Sequence, residues 1–185
     1  MRKNLYKYGM VVIAIIIANV VLFVSIYSAK LASNSANIIA EASMSEMVAL
    51  SEAAANIAVA DELIDFIEVS DMQKPEYKAL KEKLAVFTRE SGLKYTYYLR
   101  LDEDTNMMQF IMDNQVGIDS GLNEDQVDRE LAPDNALSGT ANAVPIGTYS
   151  KGWDGFMSAF APVYFSNGAL SNIIVGVDKV DTYVR

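Results

Sequence analysis

The sequence predicts an α+β protein: an N-terminal transmembrane helix continuing into a long stalk helix, then an antiparallel β-sheet of about five strands with flanking helices. Three observations carry this. Gly9 to Tyr27 is an unbroken apolar run without a charge. From Ala29 to about Ser70 there is no Pro and no Gly, and residues suited to packing recur every three or four positions. From Lys94 the pattern changes to the aromatic and β-branched composition of strands.

At about 1.5 Å per residue the apolar run reaches ~28 Å, close to the hydrocarbon thickness of a bilayer. Arg2, Lys3 and Lys7 precede it, and no acidic residue occurs before Glu41. The positive-inside tendency therefore puts residues 1–8 in the cytoplasm, 9–27 across the cell (inner) membrane and the rest outside. The competing reading is a cleaved signal peptide, whose apolar stretch is normally about 7–15 residues before a small-x-small site. Cutting after Ala29 or Ala32 would place Tyr27 or Lys30 at the third position back, so an uncleaved anchor is expected. Asn19, in mid-run, is either an interhelical hydrogen bond within a dimer or a single tolerated amide.

The first 30 residues hold four of the 15 basic residues and no acidic one; the remainder carries 11 basic against 24 acidic, a net charge of −13. That argues against nucleic acid or anionic lipid as a partner. Cys and His are both absent, which removes Ser-His and Cys-His catalysis and the usual zinc sites. The acidic residues cluster in loops and on helix faces, not as a pair flanking a cleft. No catalytic residue, metal ligand or cofactor is expected, and any enzymatic output module would lie beyond Arg185.

The stalk, residues 28–70, carries the stripe Ala36, Ile39, Ser43, Met47, Leu50, Ala54, Ile57, Ala60, Ile64 and Ile67. Its small residues would admit a second copy, and the same stripe would pack on the chain's own sheet further out. A homodimer through this helix is expected. Ser70–Pro75 breaks the helix, and Pro75–Glu90 forms a second one, with the stripe Tyr77, Leu80, Leu84, Phe87 and the stop Ser91-Gly92. Tyr95–Leu101 and Met107–Asp113 form a hairpin around Asp102–Asn106, which reads as a solvated tip in preference to a weak Ca²⁺ loop. Asn114–Val144 reads as loops with short helices near Glu124–Leu131 and Asn135–Leu137. A strand is expected near Pro145–Ser150 and a tight loop at Gly152–Gly155. Two further strands, Phe156–Phe165 and Leu170–Val177, flank the turn Ser166-Asn167-Gly168-Ala169. This order gives an antiparallel sheet with the long helix on one face.

Three features resemble a known family. SGLKYTYYLRLDEDTNMMQFIMDN is similar to the helix end and first hairpin of bacterial extracytoplasmic sensor domains of the Cache type, which are PAS-like. GTYSKGWDGFMSAFAPVYFSNGALSNIIVGVDKV is similar to their last three strands, through W-x-x-F, S-A-x-A-P-V-Y, N-G and V-G-V-D. The layout of membrane helix, long helix and sheet also matches, over roughly residues 30–182. The resemblance implies a single sensor domain at 71–182 in a chemoreceptor, sensor kinase or cyclic-diguanylate enzyme. It would bind a small molecule such as an amino acid, carboxylate or amine and signal down its helices. The chain ends at Tyr183-Val184-Arg185, where such proteins enter a second membrane helix, so 183–185 would begin an outgoing segment. A fragment of a larger receptor is expected over a stand-alone anchored binder. The alternative in another class is a membrane-anchored interaction protein with a coiled-coil stalk.

Strand alternation groups Tyr95, Tyr97, Leu99 and Leu101 on one face and Thr96, Tyr98 and Arg100 on the other. The first set reads as core against the long helix, and the second, with Tyr98, as a cavity lining. On the later strand Phe156, Ser158, Phe160 and Pro162 read as the pocket side. Arg100 suits a ligand carboxylate, or a cross-strand pair with Asp113. Asp113 could orient the ligand. Tyr149 and Trp153 lie in the segment expected to cover the pocket, although Trp153 also suits plain packing. The resemblance makes Asp178 the residue that holds a ligand amine; capping a helix Lys179–Arg185 is its other reading.

Overall fold

The computed structural model describes residues 2–115, 126–127, 133–145 and 155–180. The chain divides into two compact units, residues 1–42 and 43–185. Helix α1, Arg2–Ala55, supplies all the structure described in the first unit and opens the second. Among the described residues it is the one helix long and apolar enough to cross a membrane, judged by length and composition. Ile15, Ile16, Val20, Leu22, Phe23 and Ile26 are all exposed along it. Asn19 Nδ2 donates to Ile15 O of its own helix at 2.8 Å, so one of its two amide protons is satisfied within the chain.

In the second unit α1 buries Met47, Ser51 and Ala54, spaced four and three apart, with Leu50 and Ala55 beside them. The helix ends at Ala55, fifteen residues short of the expected break at Ser70. No Pro or Gly stops it. Instead, Asn56 Nδ2 donates to Glu52 O at 2.8 Å, and Asn56 and Ile57 N–H bond three residues back, tightening the last turn. Tertiary contact to Ala54 O overrides the local propensity, as described below. The chain then forms the short α2 (Ala60–Leu63) and a 3₁₀ turn (Val69–Gln73). Asp71 Oδ2 accepts from Ile67 N and Glu68 N, both at 2.8 Å, and Asp71 Oδ1 meets Lys74 Nζ at 2.8 Å. Lys74 first, then those two N–H groups, draw the Asp71 pKa down to about 2.

Helix α3, Pro75–Glu90, has the predicted bounds and buries Tyr77, Leu80, Leu84 and Thr88. Gly92, with φ 66°, turns the chain out of it, and Leu93 N donates back to Thr88 O at 3.0 Å. Strands β1 (Tyr95–Asp102) and β2 (Met107–Asp113) form the first hairpin. Asp102 Oδ1 accepts from the N–H of Asp104 and Thr105, and Oδ2 accepts from Gln109 Nε2 at 2.7 Å, so the acidic tip spends this carboxylate on its own turn.

The remaining elements are β3 (Gln126–Val127), α4 (Pro133–Leu137), β4 (Asn142–Val144), β5 (Phe156–Tyr164) and β6 (Leu170–Val180). They complete a six-stranded antiparallel sheet in the order β3-β2-β1-β6-β5-β4. Three points differ from the sequence reading, and two expectations fall largely outside the described residues. Gln126 and Val127 pair with Gln109 and Met108 instead of forming a helix. The edge strand lies at Asn142–Val144 and stops at Pro145, which has no N–H for the ladder; residues 146–150 lie outside the described residues. Most of the expected loop at 152–155 lies outside them as well. Strand β6 continues through Lys179 and Val180, so no helix starts at Lys179 for Asp178 to cap.

The sheet carries a core on each face. Tyr98, Ala159, Ala161, Val163, Ile173 and Val175 pack with α1 and α3. Tyr97, Leu99, Met108, Phe160 and Ile174 pack with Ala136 and Leu137 of α4 and with Val144. The β1 faces are therefore the reverse of the expectation: Thr96, Tyr98 and Arg100 face the helices, and Tyr95, Tyr97, Leu99 and Leu101 face α4. Alternation says which residues share a face, not which layer they meet. The polar atoms decided it. Tyr98 Oη donates to Ala54 O at 3.0 Å, and the hydroxyls of Thr88 and Thr96 share a hydrogen bond at 2.8 Å.

Candidate functional site

The α4 face places one buried carboxylate among aromatic rings. Asp178 is fully buried near the end of β6, directly across from Ser158 on β5 and Tyr95 on β1. Tyr97 Oη donates to its Oδ1 at 3.3 Å. Its Oδ2 is buried without a hydrogen-bond partner. Burial pushes the Asp178 pKa up to about 6; Ser158, short of a well-formed bond, and Tyr97 pull the other way. Around it, the rings of Tyr95 and Phe156 lie 5.6 Å apart, Tyr97 and Phe160 6.4 Å, and Tyr97 and Phe110 5.3 Å. A carboxylate oxygen lacking a donor, with aromatic residues on the neighbouring strands, suits a cation that can donate hydrogen bonds.

The backbone explains why Tyr97 reaches Asp178. Tyr97 stands opposite Gly176 on β6, and a Cβ on Gly176 would overlap the Tyr97 ring. The glycine lets the ring lie flat across β6 and brings its hydroxyl to Asp178, two residues on.

The structure brings together only part of the predicted set. Ser158 and Asp178 share the α4 face in register. Tyr98 lies on the opposite face, fully buried with its hydroxyl on α1, so it lines no cavity beside Asp178. Burial, with Glu62's charge second, holds that phenol protonated. Arg100 is also on the helix side, its Nη1 donating to Ile64 O at 3.4 Å. It stands across from Gln109, so the cross-strand pair with Asp113 does not form. Asp113 Oδ1 instead lies 3.6 Å from Lys81 Nζ of α3. Tyr149 and Trp153 lie outside the described residues. Phe156 and Phe160 lie on the strand face that the sequence reads as the pocket side, whereas it reads Tyr95 and Tyr97 as core against the long helix and not as site residues. The signal that would have found Tyr97 was Gly176, a strand glycine marking a close approach.

No family model matches the chain, and no curated protein matches it. Solved structures do. The sensor domain of the V. cholerae histidine kinase DctB superposes with a TM-score of 0.54 at 14% identity, covering 85% of this chain and 55% of that one. The fold is that of a Cache/PAS-like sensor domain. The sensory domain of the Campylobacter jejuni chemoreceptor Tlp3 gives 0.47 at 17% identity, covering 82% and 57%. The GAF domain region of a Geobacter sulfurreducens membrane protein gives 0.40 at 17% identity, covering 55% and 74%. The chain thus spans a little over half the length of the DctB and Tlp3 sensor domains.

Proposed function

We propose that this chain is the small-molecule-sensing part of a membrane-anchored signal-transduction receptor, with its N-terminus cytoplasmic and its sheet domain outside the cell membrane. The receptor would be a chemoreceptor, a sensor kinase or a cyclic-diguanylate enzyme, working as a dimer through the stalk helix. The ligand class is an amine. The observation that carries this reading is the Asp178 carboxylate: fully buried, one oxygen without a donor, and aromatic rings on either side. An isolated buried charge is costly, so a partner cation would bind there with a large differential effect.

Signalling requires that the ligand favour one of two arrangements. Tyr97 and Tyr98 are consecutive, one hydroxyl on Asp178 and the other on the last turn of α1. A shift of β1 on ligand binding would therefore move α1. The test is a thermal-shift screen of the full chain in lipid nanodiscs against amines, amino acids and carboxylates at pH 8. Amines should raise the melting point of the native protein and leave that of Asp178→Asn unchanged. An equal shift in the variant, or a response confined to carboxylates, would overturn the assignment.

A further inference from the structure

Two polar contacts tie α1 to the sheet, each from a different strand. Tyr98 Oη of β1 donates to Ala54 O at 3.0 Å, and Lys179 Nζ of β6 donates to Glu46 Oε1 at 2.9 Å. The residue before each tether belongs to the candidate site. Tyr97 precedes Tyr98, Asp178 precedes Lys179, and Tyr97 Oη donates to Asp178 Oδ1 at 3.3 Å. Successive residues of a strand point to opposite faces, so in both strands one step along the chain crosses the sheet. Met157, paired with Lys179, packs with the helix-side core, on the same side as the Lys179 tether.

The spacings on helix and strand agree. Tyr98 pairs with Val175, which lies ~13 Å of strand before Lys179. Glu46 and Ala54 are ~12 Å apart along α1. This part of α1 therefore runs with β1 and against β6. One strand holds its last turn, and the other holds it about two turns earlier. A movement of β1 relative to β6 loads the two tethers unequally. The Tyr97–Asp178 hydrogen bond links those same strands, and a cation at Asp178 would disturb it. An exposed ion pair adds little to stability, so the role of Glu46 and Lys179 lies in where α1 is held.

Resting on the amine reading above, we infer that the Glu46–Lys179 ion pair is a second coupling point between the site and the stalk helix. It passes a displacement of β6 at Asp178 to α1, as Tyr98 passes that of β1. Both are positioning residues and touch no ligand.

The test uses the full chain in nanodiscs at pH 8 with butylamine as the probe. Bimane is attached at Ala49→Cys, an exposed position between the tethers in a chain that otherwise lacks cysteine. Titration calorimetry reads affinity, and bimane emission reads α1. Butylamine should shift the emission of the labelled parent. Lys179→Met and Glu46→Gln should each at least halve that shift and leave affinity within about threefold. The charge swap Glu46→Lys with Lys179→Glu should restore the shift. Circular dichroism verifies folding, and if Lys179→Met does not fold, Glu46→Gln and the swap decide. Butylamine bound without an emission shift in the parent overturns the coupling and keeps the amine site. So does a shift unchanged in either single variant, or one that the swap leaves halved. A larger loss of affinity in Lys179→Met and Glu46→Gln also overturns it, because it would make the pair part of the binding site. No binding of butylamine overturns both readings.

Discussion

On the helix side of the sheet, Tyr98 donates to Ala54 O, Tyr77 to Ile111 O, and Thr88 Oγ1 to Thr96 Oγ1. On the α4 side, Asp178 and Asn142 each keep a buried oxygen without a donor. The same strands build both faces, and burial is deep on both. The difference is polar satisfaction: the buried groups named on the helix side are paired, whereas these two oxygens on the α4 side are not. A buried polar group is a fold device where it is paired and a candidate site where it is not.

The comparison can be broken most forcefully by a cavity on the satisfied side. Leu84 of α3 is fully buried, and Leu84→Ala should cost about 3–4 kcal/mol by guanidinium unfolding in micelles, with amine affinity unchanged. Altered affinity would mean that the faces are not separable. Asp178 gives the next effect. Its folded-state pKa, about 6 against an ordinary 3.8, favours the protonated form. Its contribution to stability is thus fully present below about pH 4 and lost as pH rises through about 6, roughly 3 kcal/mol in all. Asp178→Asn should flatten that part of the stability–pH curve. Ammonium binding runs the other way, weakening about tenfold per unit as pH falls below 6. A parent curve that is flat from pH 4 to 7 would remove Asp178 from the site.

Gly176→Ala should cost about 2 kcal/mol through overlap with the Tyr97 ring and should also weaken amine binding. Loss of stability alone would leave Tyr97 a packing residue. The smallest effect belongs to Tyr98→Phe, about 1 kcal/mol for one buried hydrogen bond, with amine affinity retained. A change in affinity beyond threefold would show that Tyr98 reaches the site after all.

Much of the architecture was legible. Pro75, the 3-4-3 stripe and Ser91-Gly92 gave α3 its observed bounds, and Asn167-Gly168 marked the β5–β6 hairpin, where Gly168 has φ 82°. The end of α1 was not legible, because Ala55–Val59 contains no breaker and the stop comes from contacts made by Asn56 and Tyr98. Ser158 and Asp178, named through strand alternation and resemblance respectively, do stand side by side on one face. Tyr98 and Arg100 were assigned to the wrong layer because period-two patterning has no sign: it separates two faces without saying which one meets the helices. Asn142 carried no signal, since an edge asparagine becomes informative only when its neighbours and burial are known.

Tyr97 and Tyr98 are adjacent in the chain, and their hydroxyls lie on opposite sides of the sheet, one on a carboxylate and the other on a helix carbonyl. Fluorinated tyrosine placed at either position would give a separate ¹⁹F resonance for each layer. The two signals form an internal pair of reporters, so a ligand that moves both at one common rate is read at the site and at the helix in a single spectrum.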